Sequence, residues 1–450
     1  MPRVYIETYG CQMNVSDTEL MFGVLGREGY VRTDDPGAAD VLLVNTCAVR
    51  DHAEQRVMGR MGELQRYKQQ GRGRVLGVVG CMAQRLGPRL LERVPQVDLV
   101  IGPDGYRGLP ELIARARDGG ERAADVAFKS WEHYEDVPPV RERAVSAFVT
   151  VQRGCDYRCT FCIVPMTRGP ERSRKLGDVV GEVRRLAAAG TTEVTLLGQT
   201  VNSYHEGEHD FADLLRAVGA VPGIRRVRFT SPYPTDFTDR VLRALAETPA
   251  VCEHVHVPVQ SGSSRTLKRM LRRYDRPRYL EVVRALRDAV PGIALSTDII
   301  VGFPGETEDD FQETLSLVEE VQFDDAYTFK YSVREGTPAV KIKDHVPEAV
   351  KTERIGRLIA AVRRVARRKN IALVGTTREV LVEGPAKRGD LLQARTRANK
   401  IALLAGPAEW IGTYREVRFT GTTGSTFTAV SIVPSLRMAE RGSGGEAAWR

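Results

Sequence analysis

Several features that would place a chain in a membrane or outside the cell are missing from this sequence. No run of about 18 apolar residues occurs in its 450 residues, so we expect no membrane span. Residues 1–10 lack the charged-then-apolar pattern of a secretory signal. The seven cysteines are an odd number, which does not suit a disulfide framework. We therefore expect a cytoplasmic protein with reduced thiols.

Acidic residues are slightly outnumbered by basic ones. There are 66 Lys and Arg residues against 58 Asp and Glu, a net charge of +8. This mild excess is compatible with a polyanionic partner such as a nucleic acid, and equally with an ordinary basic surface. The apolar fraction of 42% supports globular cores, and the length allows two to four domains.

Histidine is missing from the neighbourhood of the densest cysteine group. Cys155, Cys159 and Cys162 have the spacing Cys-x3-Cys-x2-Cys, and the next histidine downstream is His205. Structural zinc usually takes four Cys or His ligands. Three thiolates can instead hold three irons of a 4Fe–4S cluster and leave the fourth iron open. The spacing favours an iron–sulfur cluster, with zinc and a redox dithiol as open alternatives.

Short apolar runs alternate with helical patterns over the first 118 residues. This alternation predicts a doubly wound α/β domain with a parallel sheet. The predicted strands are 4–8, 41–44, 75–79 and 97–101. Helices are predicted after Ser16 and over 51–69.

Three further cysteines each follow one of these strands. Cys11, Cys47 and Cys81 come directly after the first three. Because the carboxyl ends of parallel strands meet at one sheet edge, we expect the three thiols to converge. That placement suits a second iron–sulfur cluster with one open iron, the alternative being three inert buried thiols.

The middle of the chain shows six β–α repeats. They predict a partial (βα)6 TIM-type barrel whose active site lies at the carboxyl ends of the strands, where the Cys155 loop also falls. The predicted strands are 147–152, 193–197, 226–229, 252–257, 293–299 and 326–331. The predicted helices are 176–189, 211–218, 236–247, 263–271, 277–289 and 308–321.

Short alternating strands return near the C-terminus. The pattern predicts a small five-stranded β-barrel, OB-like and of a kind that binds oligonucleotides. Its predicted strands are 378–383, 391–395, 400–404, 410–419 and 425–432. The resulting domain plan is 1–118 for the N-terminal α/β domain, 119–143 for a linker, 144–375 for the partial barrel, 376–435 for the small barrel and 436–450 for a disordered tail.

Several motifs together resemble the methylthiotransferase family of radical S-adenosylmethionine enzymes over nearly the whole chain. The motifs are Gly10-Cys11-Gln12-Met13-Asn14, Asn45-Thr46-Cys47, Gly80-Cys81-Met82-Ala83-Gln84, the Cys155 loop with Thr167-Arg168-Gly169, 197–204 and 257–262. Gln-Met-Asn after the first cysteine resembles the branch that acts on N6-dimethylallyladenosine in tRNA. The C-terminal barrel resembles the TRAM module of RNA-modifying enzymes.

This resemblance implies a chemistry. It implies two 4Fe–4S clusters, ligated by Cys155, Cys159 and Cys162 and by Cys11, Cys47 and Cys81, so that all six cysteines are metal-binding and catalytic. One S-adenosylmethionine would methylate a sulfur on the second cluster, and another would yield a 5′-deoxyadenosyl radical. The product would be a methylthio group at carbon 2 of N6-dimethylallyladenosine, position 37, beside the tRNA anticodon.

The resemblance also implies partners and further site residues. The partners are tRNA through its anticodon stem-loop, a reducing protein such as flavodoxin or ferredoxin, and a sulfur donor or iron–sulfur carrier, with the enzyme a monomer. Cofactor-binding candidates are Arg168, Arg174, Gln199, Ser231, Gln260, Ile300 and Gly302. RNA-binding candidates are Arg395, Arg397, Asn399 and Lys400.

Two sets of alternatives stay open. The substrate could be threonylcarbamoyladenosine in tRNA or a ribosomal-protein side chain, or the chain could be a zinc-containing RNA-binding protein. The basic groups 268–273 and 363–369 are compatible with solvated helix faces or with contacts to the tRNA backbone. Cys252, the seventh thiol, begins a predicted strand and is expected in the core.

Overall fold

Two compact units make up the described part of the chain, which in this computed structural model comprises residues 1–48, 51–71, 73–141, 145–387 and 389–432. The first unit is Met1–Ala366, and the second begins at Arg367. The tail 436–450, predicted to be disordered, lies outside the described residues. No helix in these ranges is long and apolar enough to cross a bilayer.

A six-stranded, fully parallel sheet forms the N-terminal part of the first unit. Its strands, in spatial order, are Val31–Arg32, Arg3–Tyr9, Val41–Thr46, Val75–Gly80, Leu99–Ile101 and Ala123–Asp125. Its helices are Gln12–Arg27, Asp51–Gln69, Cys81–Leu86, Arg89–Arg93 and Leu109–Gly119.

Two apolar cores cover opposite faces of this sheet. Leu43 packs with Leu20 and Ile113 on one face, while its neighbour Leu42 packs with Met61 on the other. Successive residues of a strand point to opposite faces, so a strand covered on both sides must be apolar throughout. The doubly wound domain is confirmed.

The sequence pattern missed one strand of this sheet. The strand–helix alternation was expected to lapse from about residue 119, but Ala123–Asp125 pairs with Leu99–Ile101 as an edge strand. Further along, Tyr134 and Val137 are buried in the N-terminal core. The strand has three residues and no apolar run longer than two alanines, so local sequence carries little signal for it.

Six parallel strands of the central region form two three-stranded sheets, bridged between Val227 and Val251. The strands are Ser146–Thr150, Glu193–Leu197, Arg226–Phe229, His254–His256, Ala294–Val301 and Asp325–Lys330. The helices are Val164–Arg168, Leu176–Ala188, Phe211–Gly219, Asp239–Glu247, Ser264–Arg269, Arg276–Ala289, Glu308–Val321 and Glu348–Ile371. One apolar core runs beneath both sheets and includes Val149, Val227 and Leu295. The partial (βα)6 barrel is confirmed.

Five strands of the second unit close into a barrel, as predicted. In barrel order they are Thr377–Pro385, Leu392–Thr396, Ile401–Leu404, Thr426–Ser431 and Tyr414–Thr422. Its interior holds alternate residues of the strands, among them Val380, Val382 and Phe427. The stacked rings of Phe419 and Phe427, with centroids 4.1 Å apart, fill the centre.

A buried carboxylate joins the N-terminal sheet to the partial barrel. Asp17, on the helix Gln12–Arg27, is fully buried and receives two guanidinium groups. Nη1 of Arg153 lies 3.0 Å from its Oδ1, and Nη1 of Arg168 lies 2.7 Å from its Oδ2. A second buried pair, Arg172 with Asp104, is bidentate at 2.9 and 3.0 Å. Because desolvated charges must be paired, these contacts fix how the two parts dock.

Replacing Asp17 tests this docking. Asp17→Asn keeps the shape but leaves Arg153 and Arg168 buried without their counter-charge, so we expect a loss of about 3–5 kcal/mol in unfolding free energy. Urea denaturation of the full chain, followed through the unfolding of its first unit, measures this change in unfolding free energy. Asp34→Asn removes an exposed partner of Arg32 and should cost less than about 1 kcal/mol. Equal effects of the two substitutions would contradict a structural role for Asp17.

Candidate active site

Three adjacent strands of the N-terminal sheet bring Cys11, Cys47 and Cys81 to one edge. Tyr9 pairs with Thr46, and Thr46 pairs with Gly80, so the strands end at the same level. Cys11 caps the following helix, Cys47 comes directly after its strand, and Cys81 begins a helix. The convergence expected from the sequence is therefore present. We call these residues the N-terminal triad.

A pair of buried asparagines holds the N-terminal triad's loops together. Nδ2 of Asn14 donates to Oδ1 of Asn45 at 3.1 Å, and Nδ2 of Asn45 donates to the Asn14 carbonyl at 2.7 Å. Asn14 also accepts from the backbone N–H of Cys11. Gly80 has a φ of +92°, and a Cβ there would lie 2.4 Å from Oδ1 of Asn45. Asn14, Asn45 and Gly80 thus position the cysteines.

The loop after the first barrel strands carries Cys155, Cys159 and Cys162, which we call the barrel triad. Cys155 and Cys159 are buried, and Cys162 is half-buried. The loop turns at Gly154, whose φ is +78°. Two backbone hydrogen bonds shape it, from Cys155 to the Gly169 carbonyl and from Cys162 to the Cys159 carbonyl.

Burial disfavours the free thiolates of three cysteines, Cys81, Cys155 and Cys162. Burial, together with a smaller contribution from neighbouring cysteines, raises the pKa of Cys155 to about 11 and that of Cys162 to about 12. Burial also raises the pKa of Cys81, although the Arg168 guanidinium opposes this. A bound metal centre deprotonates such thiols, because only the thiolate ligates. All seven cysteines are free thiols, and Cys252 is buried in the core.

The two triads adjoin through an apolar contact. Ala48, Cys81 and Ile163 pack together. Cys81 is a member of the N-terminal triad, and Ala48 directly follows another member, Cys47. Ile163 directly follows Cys162 of the barrel triad. The helix Cys81–Leu86 packs against Val164–Arg168. The sequence alone did not fix whether the triads face each other, and the fold places them side by side.

Arg168 and Arg174, both cofactor-binding candidates, have different surroundings. Nε of buried Arg168 donates to Sγ of Cys81 at 3.1 Å while Nη1 contacts Asp17, and its Nη2 has no hydrogen-bond partner. Arg174 donates to Glu182 and to the Thr150 carbonyl, both at 2.7 Å. Arg168 therefore lies at the cysteines, and Arg174 braces the first barrel strand.

The other cofactor-binding candidates lie at the carboxyl ends of the barrel strands. Oε1 of Gln199 is buried without a hydrogen-bond partner. Ser231 and Gln260 have positive φ values of 57° and 71°, a strained conformation for non-glycine residues. Backbone strain and an unpartnered acceptor at one face of the barrel mark this face as a candidate ligand site.

Ile300 and Gly302 end the fifth barrel strand beside Gln260. The Ile300 N–H donates to the Gln260 carbonyl at 2.9 Å. Gly302 has a φ of +72°, and a Cβ there would lie 2.4 Å from the Lys351 side chain, so the turn requires glycine. These two residues are thereby fixed relative to Gln260.

The RNA-binding candidates occupy the hairpin between Leu392–Thr396 and Ile401–Leu404. Arg395 is held by Glu383 and by Oδ1 of Asn399, the latter at 3.0 Å. Asn399 turns the chain with a φ of +62°, Lys400 is buried and Arg397 is half-buried. The hairpin is an ordered turn with a cationic tip.

Both triads offer thiol donors of the kind an iron–sulfur cluster takes. Over the described residues, no three His, Cys, Asp or Glu side chains are placed, as they stand, to hold a metal ion. The ligand assignment of the six cysteines therefore stays a prediction, which the donor chemistry fits.

Family models match three stretches of the chain. The Radical SAM superfamily matches residues 149–318, the TRAM domain matches 372–426, and "Uncharacterized protein family UPF0004" matches 3–102.

Curated relatives cover nearly the whole chain. One from Geobacter sulfurreducens, named tRNA-2-methylthio-N(6)-dimethylallyladenosine synthase, is 48% identical over 93% of this chain and 94% of its own. Relatives of the same name from Bacillus subtilis (46%, over 91% and 82%) and Clostridium botulinum (43%, over 95% and 96%) agree. The chain belongs to the tRNA-2-methylthio-N(6)-dimethylallyladenosine synthase family. It is a radical SAM transferase family, so a [4Fe-4S] cluster and S-adenosylmethionine are its cofactors.

Solved structures support the fold. The radical S-adenosylmethionine methyltransferase TsrM from Kitasatospora setae, with cobalamin and a [4Fe-4S] cluster bound, superposes with a TM-score of 0.56 at 16% identity. The match covers 75% of this chain and 77% of that chain. The cobalamin-dependent radical enzyme OxsB gives a TM-score of 0.53 at 14% identity, covering 81% and 58%.

The sequence analysis missed three residues that the fold brings to the cysteines of this family member. Asp17 holds Arg168 at Cys81, and Arg272 donates to Cys159. Burial lowers the pKa of the third residue, Arg334, and a thiolate at Cys47 opposes this shift. Arg272 had been grouped with surface cations. In the sequence, Asp17 could have been selected only because it lies three residues after Asn14, the last residue of the first cysteine motif. No local signal marks Arg272 or Arg334.

Gly154 tests the barrel triad's loop. A Cβ there would lie 1.9 Å from the Pro170 carbonyl oxygen at a φ of +78°, so Gly154→Ala should distort the loop. The test uses a background chain in which Cys11, Cys47 and Cys81 are replaced by Ala, so that only the barrel triad can load a cluster, with about four irons per chain. Adding Gly154→Ala to this background should reduce the iron content after reconstitution to less than half of that value. Gly177→Ala is the control, since nothing lies within 4 Å of its Cβ position, and it should leave iron content unchanged. Full iron loading of Gly154→Ala would contradict this account.

Proposed function

We propose that this protein inserts a methylthio group at carbon 2 of N6-dimethylallyladenosine, position 37, beside the tRNA anticodon. Family membership supports the reaction. The observation that carries the proposal is the contact of Ala48, Cys81 and Ile163, which sets the two triads side by side. Two triads that each held a metal centre at this place would suit a reaction that needs both a source of radicals and a source of sulfur.

We assign the barrel triad, Cys155, Cys159 and Cys162, to the cluster that works with S-adenosylmethionine. Cys11, Cys47 and Cys81 would hold a second cluster that supplies sulfur. When bound, the two clusters and S-adenosylmethionine supply the radical, the sulfur and the methyl group.

The chain's own residues would bind and orient these groups. Arg168 fixes Cys81 through its N–H···S contact and holds a free Nη2 for a carboxylate. Gln199 presents an unpaired amide oxygen to a cofactor or adenine N–H. The remaining cofactor candidates are Arg174, Ser231, Gln260, Ile300 and Gly302. Cys47, Cys81, Cys155 and Cys159 are buried, so solvent has little access to these four thiols.

The second unit would present the anticodon stem-loop. Its hairpin carries Arg395, Arg397, Asn399 and Lys400, and cations on a five-stranded barrel suit a nucleic-acid backbone. We further propose the partners expected from the family: a flavodoxin or ferredoxin as reductant, and a sulfur donor. We place the enzyme in the cytoplasm, as a monomer. We propose domains at 1–118, 144–375 and 376–435, with the segment 119–143 adding the edge strand Ala123–Asp125 to the first of them.

The substrate assignment is tested on cellular tRNA. In cells lacking this chain, mass analysis should find N6-dimethylallyladenosine without its methylthio group. If the dimethylallyl nucleoside remains methylthiolated and threonylcarbamoyladenosine or a ribosomal protein loses the group instead, the branch assignment is wrong. Iron analysis of the reconstituted chain should give about eight irons, whereas stoichiometric zinc without iron would favour a zinc-containing RNA-binding protein.

The division of labour between the triads makes a prediction. Cys159→Ala should abolish cleavage of S-adenosylmethionine to 5′-deoxyadenosine. Cys47→Ala should leave cleavage intact, within about twofold, and abolish methylthiolation. Chromatography of both products measures the two steps. Cys252→Ala, at a buried core thiol, is the control and should retain both. Loss of cleavage in both triad variants would refute separate roles.

Arg397 tests the tRNA-binding hairpin. If its guanidinium contacts a phosphate, Arg397→Ala should weaken tRNA binding and make the slope of log K against log salt shallower by about 1. Filter binding across a salt series gives both values. Arg184→Ala removes an exposed cation from the helix Leu176–Ala188 and should leave the slope unchanged. An unchanged slope in Arg397→Ala would remove that residue from the interface.

A further inference from the structure

Arg272 lies against the barrel triad, although its sequence neighbours are surface cations. It follows the short helix Ser264–Arg269, and the intervening Leu271 has a φ of +54°. This turn directs the side chain inward. Nη1 of Arg272 lies 3.3 Å from Sγ of Cys159 and donates to it.

The rest of the Arg272 guanidinium is fixed by neutral groups. Nε donates to the Tyr274 hydroxyl at 2.8 Å, and Nη2 donates to the Pro258 carbonyl at 3.2 Å. The rings of Tyr233 and Tyr274 cover the guanidinium, with centroids 4.4 and 4.9 Å from its Cζ. The Tyr274 hydroxyl is itself anchored to the Pro258 carbonyl. The guanidinium therefore has one orientation.

Arg272 has no carboxylate in direct contact among the described residues, and Asp236 interacts with it only through a longer-range charge interaction. Within the described residues, it makes no ion pair at 4 Å or less, whereas Arg168 at the N-terminal triad contacts Asp17 at 2.7 Å. A guanidinium stays protonated at any pH the protein meets. Its natural counter-charge here is the Cys159 thiolate, which forms when the thiol becomes a metal ligand.

We propose that Arg272 is a positioning residue that raises the reduction potential of the cluster held by Cys155, Cys159 and Cys162. Reduction makes such a cluster more negative, so a donor on a ligand sulfur and an unpaired positive charge both favour the reduced form. The proposal rests on the ligand role proposed above for these three cysteines.

The potential is measured directly, without turnover. The full chain with Cys11, Cys47 and Cys81 replaced by Ala keeps only the barrel triad. After anaerobic reconstitution it is titrated with dithionite in the presence of mediators and followed by electron paramagnetic resonance. The couple takes one electron from dithionite and makes or breaks no bond.

Arg272→Gln in this background should lower the equilibrium constant for reduction about tenfold, which is about 59 mV for one electron. Arg272→Lys keeps the charge and should recover part of the shift. Arg273→Gln is the matched control, because Arg273 is exposed and lies over Tyr157 rather than on a cysteine. Its potential should equal that of the background chain.

Two results would overturn the proposal. One is a loaded Arg272→Gln cluster, at about four irons per chain, whose potential equals that of the background. If the Arg272→Gln chain does not load a cluster, Tyr274→Phe provides a second test. This variant removes the hydroxyl that accepts a hydrogen bond from Nε of Arg272, and it should lower the reduction potential by part of the shift expected for Arg272→Gln. No shift in Tyr274→Phe would assign Arg272 a purely structural role. A background chain that binds no iron would instead overturn the ligand assignment, and the present proposal with it.

Discussion

The buried carboxylate of Asp17 is the constraint on which the arrangement of the two triads depends. It is fully desolvated and receives Arg153 from the first barrel loop and Arg168 from the helix after Cys162. If the N-terminal sheet shifted relative to the barrel, Asp17 would separate from the two arginines. Each of these buried charges would then be unpaired, at a cost of several kcal/mol in stability. Since Arg168 also donates to Cys81, the ion pair fixes Cys81 relative to the segment that carries the barrel triad.

Local sequence predicted most of the fold because the strands are buried on both faces. Runs such as 41–44 and Val75–Gly80 are apolar or small along their whole length, and a cysteine follows each of them within three residues. Once the sheet is parallel, strand ends must share an edge, so the meeting of Cys11, Cys47 and Cys81 followed from topology alone. The short alternating strands of the second unit were equally readable, because one face of each fills the barrel.

The surroundings of the cysteines could not be read in this way, because they are tertiary. Arg272 and Cys159 are 113 positions apart, and Arg168 and Cys81 are 87 apart. In a basic run such as 268–273, local sequence does not show which cation is solvated and which one points inward. Arg272 points inward because Leu271 has a left-handed backbone conformation. Asp17, which directly follows Ser16 at the predicted start of a helix, is likewise not marked by local sequence as the partner of two arginines. What a long charged side chain meets is decided by the fold.

The electrostatics of the site favour an anionic occupant over free thiols. Burial raises the pKa of Cys155 to about 11 and that of Cys162 to about 12, so these thiols are neutral at neutral pH without a metal. Guanidinium groups nevertheless lie at Cys81 and Cys159. Among the residues that the structure describes, the group at Cys81 forms an ion pair with Asp17 and the group at Cys159 forms none. The Cys159 thiolate that forms on ligation would give Arg272 a counter-charge in direct contact, which the neutral thiol does not. Part of the cost of desolvating Arg272 would therefore be offset in the loaded protein.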